Sequence, residues 1–319
     1  MTTKKTAGAV SASATSKKPA AKKPATRRST APKKEETQVE EETKEAVKTE
    51  EAPQEESQQK DESADTVAEV PRHLGIDVVI PYVAKLAKGD ELLYAVRAWQ
   101  KNFKELGRII IVGDHASWFG GDIIHIAHKR VNTNPQIDVA DKLATVIASE
   151  LVNDAFVWSN DDIYPVAPVY PEDILVRKAM GTLTEKGAAG GVYRENSIRT
   201  VQALAKRKLA RIYDYATHMP VAFEKDKLAE TLTEYKCQKE GFLISSLYFN
   251  THFPDERPII TRNDDRGSIV ASVWSSSPNP TILKRVFEER KFINHNDKGW
   301  PHVLPYLKNL FPEKSRWEK

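Results

Sequence analysis

One cysteine, Cys237, is all that the 319-residue chain carries. A single thiol excludes an internal disulfide framework and any zinc site built on clustered cysteines. It agrees with a reducing compartment such as the cytoplasm. Long apolar runs are also missing, and no stretch approaches the roughly 20 residues that a bilayer-spanning helix needs. The N-terminus is rich in Lys, Ala, Pro and Thr and has no hydrophobic segment of the kind that marks a secretory signal. These absences predict a cytoplasmic protein with no membrane span. Net charge is small as well, at +3, and says little about partners by itself.

The small net charge conceals two opposed blocks. Residues 1–34 carry ten Lys or Arg and no acid, whereas residues 35–70 carry fourteen Asp or Glu against three Lys, with few large apolar side chains. Neither block can bury enough apolar surface to offset the entropy lost on ordering, so 1–70 reads as a disordered tail. Its basic part, centred on Lys17-Lys18-Pro19-Ala20-Ala21-Lys22-Lys23-Pro24, resembles the tails of linker histones. Such a segment would bind nucleic acid or another acidic partner nonspecifically and with strong salt dependence. The alternative is a solvated tether whose basic half pairs with its own acidic half.

Residues 71–319 suit one α/β domain. Ile76 to Val83 is a nearly continuous β-branched run, expected of a central buried strand. Leu92, Val96, Trp99 and Phe103 then fall at helical spacing, and short strands are expected at Arg108 to Val112 and Asp122 to Ile126. A helix from about Val139 to Leu151 follows, with Asp141 in its first turn. This alternation argues for a mostly parallel sheet flanked by helices. Further helices are expected at Asn196 to Arg211, Glu224 to Tyr235, Phe242 to Phe249, Pro280 to Arg290 and Trp300 to Phe311. The small-residue run Gly187-Ala188-Ala189-Gly190-Gly191 is too loosely spaced for a dinucleotide-binding fingerprint.

The chemistry is expected where an apolar strand stops at acids. Ala155-Phe156-Val157-Trp158 leads directly into Ser159-Asn160-Asp161-Asp162, and open α/β sheets bind ligands at the carboxyl edge of their strands. Asn and Asp also form surface turns, which is the competing reading. A second apolar strand, Lys291-Phe292-Ile293, ends near Asn296-Asp297, so the two termini could converge on one metal or substrate. His218 lies in a turn closed by Pro220, and imidazole is the side chain best suited to proton transfer near neutral pH. Arg97 and Arg199 are candidate phosphate clamps, because guanidinium groups grip phosphate bidentately.

Taken as an ordered set, these blocks resemble the Stealth family, the sugar-1-phosphate transferases of bacterial capsular polysaccharide synthesis, to which the lysosomal-enzyme N-acetylglucosamine-1-phosphotransferase also belongs. The matching stretches are Ile76 to Val83; Glu91 to Arg97 with Ile109 to Asp114, Trp118 and Phe156 to Asp162; Thr217-His218-Met219-Pro220; and Lys291 to Asp297 with Leu310-Phe311-Pro312-Glu313. The resemblance implies a nucleotide-diphospho-sugar transferase-like fold, a single GT-A-like sheet. It makes Asp162 and His218 candidate catalytic groups, and the family's acid on the preceding helix falls nearest Asp141.

The expected activity is transfer of a sugar-1-phosphate or a sugar from a nucleotide-sugar donor to a hydroxyl acceptor, such as a glycan. Mg²⁺ or Mn²⁺ would neutralise the donor diphosphate. Asp161, Asp162 and Asp297 are the candidate metal ligands, and Asn160 and Asn296 are candidate substrate contacts beside Arg97 and Arg199. The rival expectation is a nucleic-acid-associated protein that works through its basic tail and carries a non-catalytic transferase-like domain.

Overall fold

Strand β1 (Ile76–Tyr82) is the centre of the larger sheet in the computed structural model. Val79 joins one apolar cluster while Val78 and Ile80 join another. Successive side chains on a strand point to opposite faces, so a strand covered on both sides must be apolar throughout. The chain continues through α1 (Glu91–Asn102), β2 (Leu106–Gly113), β3 (Ile124–Ala127), α2 (Pro135–Ala148) and β4 (Ala155–Trp158). β1 pairs in parallel with β2 and with β4, and β2 pairs in parallel with β3. Alternation recurs along these strands, with Ile110, Val112, Phe156 and Trp158 on one face and Ile109, Ile111 and Val157 on the other. Ala140, Leu143 and Val146 of α2 cover the first face, and Leu92, Val96 and Trp99 of α1 cover the second.

The remaining elements are β5 (Ile163–Pro165), α3 (Pro171–Leu175), β6 (Lys178–Ala179), α4 (Gly191–Ala205), β7 (Val221–Glu224), α5 (Lys225–Glu234), α6 (Ile244–His252), β8 (Ile259–Ile260), β9 (Val270–Val273), α7 (Pro280–Glu289), β10 (Phe292–His295) and α8 (Trp300–Leu310). β7 adds to β4 as an antiparallel edge and gives the order β3-β2-β1-β4-β7. A three-stranded sheet, β5-β10-β9, and a two-stranded one, β6-β8, accompany it. The architecture is therefore α/β with a mostly parallel mixed sheet flanked by helices, but the expected single sheet is corrected to three among the described residues. Strands as short as β5, β8 and β9 carry too few alternations to stand out from loops.

Helix boundaries also differ from expectation, most of all at α2 and α4. The Asn134 side chain accepts a hydrogen bond from the Gln136 N–H, and Pro135 opens the helix. A capping amide followed by proline is a strong start signal, so α2 begins four residues before Val139 and Asp141 falls in its second turn. α4 ends at Ala205 because the chain turns just beyond it, with Lys208 in the left-handed region at φ 55°.

The structure describes residues 75–184, 190–261 and 268–319, which belong to one compact unit. The tail 1–70 and residues 187–189 of the glycine-rich run lie outside the described residues. No helix among the described residues is long and apolar enough to cross a membrane.

Candidate active site

The strand order places a topological switch point in the middle of the larger sheet. From β1 the chain moves outward through β2 to β3, then crosses back to add β4 on β1's other side. Connections that leave in opposite directions open a crevice at the carboxyl ends of the two central strands. β1 ends at Tyr82 and β4 ends at Trp158, and the Ser159 N–H donates to the Val79 carbonyl at 3.0 Å to continue the pairing. Asn160, Asp161 and Asp162 follow in a turn that the Ile163 N–H closes on the Asn160 carbonyl at 3.3 Å. The acids thus form a turn, and that turn lies just beyond the carboxyl end of β4.

His218 reaches this turn from the loop before β7. Its Nε2 lies 3.1 Å from Asp162 Oδ1, and the two side chains keep 30% and 26% exposure, so a ligand can reach them. The His218 backbone is left-handed at φ 52°, a strained conformation for a residue with a Cβ. Asn294 of β10 holds it there by donating from Nδ2 to the His218 carbonyl at 2.8 Å.

The charges in the site are strongly interdependent. Burial works to raise the Asp162 pKa, but the charge and hydrogen bond of His218 reverse that and hold it below the usual carboxylate value. Burial likewise disfavours the charged His218, and the Asp162 carboxylate overcomes it and raises the imidazole. Asp161 behaves in the opposite way. Burial first, then repulsion from Asp162 and Glu91, raises it to about 8. At neutral pH the pair is an ionised Asp162 beside a proton-holding Asp161.

Three further residues complete the surroundings. Glu91 at the start of α1 is buried, and its carboxylate accepts from the Lys88 and Gly89 N–H groups at 2.8 Å. His295 is held neutral chiefly by burial. The Asn296 carbonyl takes its Nδ1 proton at 3.0 Å, so Nε2 accepts from the Tyr164 hydroxyl at 2.8 Å. The sequence reading missed all three. Glu91 looks like an ordinary acid at a helix N-terminus, and the two aromatic partners meet only when β5 pairs with β10. His295 stands next to the Asn296-Asp297 pair singled out above, which was the one available signal.

Five of the expected site residues are engaged elsewhere. Arg97 makes a bidentate pair with Glu318 at 2.8 and 2.6 Å and donates to the Phe311 carbonyl, so its fork is occupied by the C-terminal segment. Arg199 donates to the Gly241 carbonyl at 2.7 Å and faces Glu240 at 3.5 Å. Asp141 binds His128 at 2.8 Å and Gln238 at 2.6 Å, beside the end of β3 rather than β4. The Asn296 side chain caps the turn into α8, accepting from Lys298 and Gly299 N–H groups. Asp297 is largely exposed and pairs with Lys88 at 3.1 Å.

Among the described residues no group of three or more His, Cys, Asp or Glu is placed to hold a metal ion. The donor chemistry that is present still suits Mg²⁺ or Mn²⁺. Asp161 and Asp162 offer two adjacent carboxylates, a common protein share where a nucleotide diphosphate supplies further oxygens. The repulsion that raises Asp161 is the kind a divalent cation relieves. In comparison with known proteins, no family model matches the chain and no curated protein matches it significantly.

Proposed function

We propose that the chain is a transferase that moves a sugar-1-phosphate or a sugar from a nucleotide-sugar donor to a hydroxyl acceptor such as a glycan. The carrying observation is the Asp162–His218 pair beside Asp161 at the switch point of the larger sheet. A mostly parallel sheet with acids at the end of its fourth strand is also what a GT-A-like fold and the Stealth resemblance imply.

In this reading His218 takes the acceptor proton. Its Nε2 is held on Asp162, which leaves Nδ1 to accept the proton while the Asp162 carboxylate stabilises the imidazolium that forms. The freed oxygen then attacks the donor. Attack at the β-phosphorus breaks the bond to the nucleoside monophosphate oxygen and transfers a sugar-1-phosphate. Attack at the anomeric carbon releases the nucleoside diphosphate and transfers the sugar alone. Mg²⁺ or Mn²⁺ held by Asp161 and Asp162 would neutralise the diphosphate charge that builds up in either route. Resemblance favours the first route.

A screen of nucleotide-sugars with phosphorus NMR of the products tests this reading. It shows whether phosphate follows the sugar or leaves with the nucleotide. Asp162→Asn and His218→Ala are each expected to lower turnover by about 10²–10⁴-fold, the range of positioned acid–base groups, with unchanged circular dichroism. Full turnover in either variant, or no turnover of any nucleotide-sugar by the native chain, would sink the proposal.

A further inference from the structure

Of the six tryptophans in the chain, Trp99, Trp158, Trp300 and Trp317 are buried and Trp118 is partly covered, whereas Trp274 keeps 51% exposure. A lone apolar side chain at the surface is ordinary, so it is the position of this indole that gives it meaning. Trp274 follows Val273, the last residue of β9, at the carboxyl end of a strand that pairs in parallel with β10. Ser272 stands opposite Asn294, the residue that donates to the His218 carbonyl, and residues opposite each other in a sheet share a face. Side chains alternate along a strand, so one further step beyond Val273 returns Trp274 to the face of Ser272 and Asn294.

The backbone under the indole is held from β10 and from α8. Asn296 Nδ2 donates to the Trp274 carbonyl at 3.4 Å, and the Asn296 carbonyl takes the His295 Nδ1 proton at 3.0 Å. His295 in turn accepts from Tyr164 and lies within electrostatic reach of Asp162, so hydrogen bonds tie the Trp274 segment to the surroundings of the Asp162–His218 pair. A side chain at Gly299 would collide with the Val273 carbonyl, so α8 begins directly against the end of β9. His302 of α8 donates from Nε2 to the Ser276 carbonyl at 2.9 Å, and the Ser277 N–H closes on the Ser275 hydroxyl at 3.0 Å. An exposed ring on a backbone fixed in this way binds without first having to be ordered. The negative face of an indole attracts the C–H groups of a pyranose, while the Nε1–H and the exposed Ser275 and Ser276 can meet its hydroxyls.

We propose that Trp274 is a stacking platform for a sugar ring of the acceptor, on the β10 side of the Asp162–His218 pair. Assignment to the acceptor rests on the transferase reading; sugar binding by the indole does not depend on it.

A glycan array of defined oligosaccharides probed with the full-length protein, followed by calorimetric titration of the oligosaccharide bound best, tests the platform. Saturable binding is expected that weakens about tenfold or more in Trp274→Ala, returns in Trp274→Tyr and leaves the circular dichroism of both variants unchanged. In turnover assays the same Trp274→Ala change should raise the acceptor KM and leave the donor KM where it was. No binding to any oligosaccharide, or equal binding in Trp274→Ala, would overturn the platform and leave the transferase reading standing if the native chain turns over a nucleotide-sugar. Displacement of the oligosaccharide by a nucleoside diphosphate would give the indole to a nucleobase and overturn the acceptor assignment. Trp274-dependent oligosaccharide binding with no turnover of any nucleotide-sugar would defeat the transferase reading and keep the sugar platform.

Discussion

Asp77 is fully buried on the central strand, where Arg108 grips both of its oxygens at 2.9 and 2.6 Å and the Asn153 N–H donates to one of them. A buried charge is tolerated in this way only while its partners remain. Asp77→Ala leaves Arg108 without its carboxylate and is expected to cost about 3–5 kcal/mol, measured by urea unfolding. The residue lies near the amino end of β1, away from the crevice, so activity per folded molecule should be unchanged. Asn294 is the opposite case. It is buried and holds the His218 carbonyl, so Asn294→Ala frees a strained backbone that places the proposed base. Turnover is expected to fall by about tenfold or more with little change in KM, since only the geometry of proton transfer is disturbed. A rise in KM at constant kcat would instead assign Asn294 to substrate binding.

At the scale of elements, the short loop into α2 matters more than its polar composition implies. Asn134 caps the helix and also exchanges hydrogen bonds with the Asn196 side chain on α4 at 3.0 Å in both directions. Asn134→Ala removes the cap and that link, and a loss of about 1–2 kcal/mol is expected by thermal or urea unfolding. Further inside the helix, Asp138 pairs with the buried Lys142 at 2.5 Å and accepts from the Val131 N–H at 2.8 Å. The loop after β3 is thereby fastened to the helix that leads back to β4, the crossover that creates the switch point.

For the molecule as a whole, the C-terminal segment acts as a clasp over α1. Glu318 pairs with Arg97 and also accepts from the Ser315 N–H at 2.7 Å. Burial opposes the Glu318 charge, but these hydrogen bonds outweigh it and lower its pKa below the ordinary glutamate value. A carboxyl depressed in the folded state stabilises the fold above its unfolded pKa, and that contribution is lost as pH falls through the lower folded value. The native chain should therefore melt above Glu318→Gln at pH 7, with the gap closing as the solution is taken to acid. A charge-assisted pair of this kind contributes about 1.5–3 kcal/mol when intact. A gap that stays constant with pH would mean that the ionised pair contributes nothing.

The sequence by itself was sufficient for the α/β class and for the strands β1, β2 and β4, whereas the meeting of Asp162 with His218, 56 residues apart, was decided by the tertiary structure. Those strands are buried on both faces, and burial of that kind leaves a continuous apolar run that needs no partner to be recognised. The acids and the histidine were visible because their residue types are conspicuous at the end of a strand and in a proline-closed turn. Tertiary structure alone decided the fates of Arg97 and Arg199. An arginine suited to phosphate is equally suited to a carboxylate, and the carboxylate that takes Arg97 lies 221 residues away. The same holds for Glu91, Tyr164 and His295. Each depends on which short strands pair and which loops fold back, and those choices follow from long-range contacts that carry no local period.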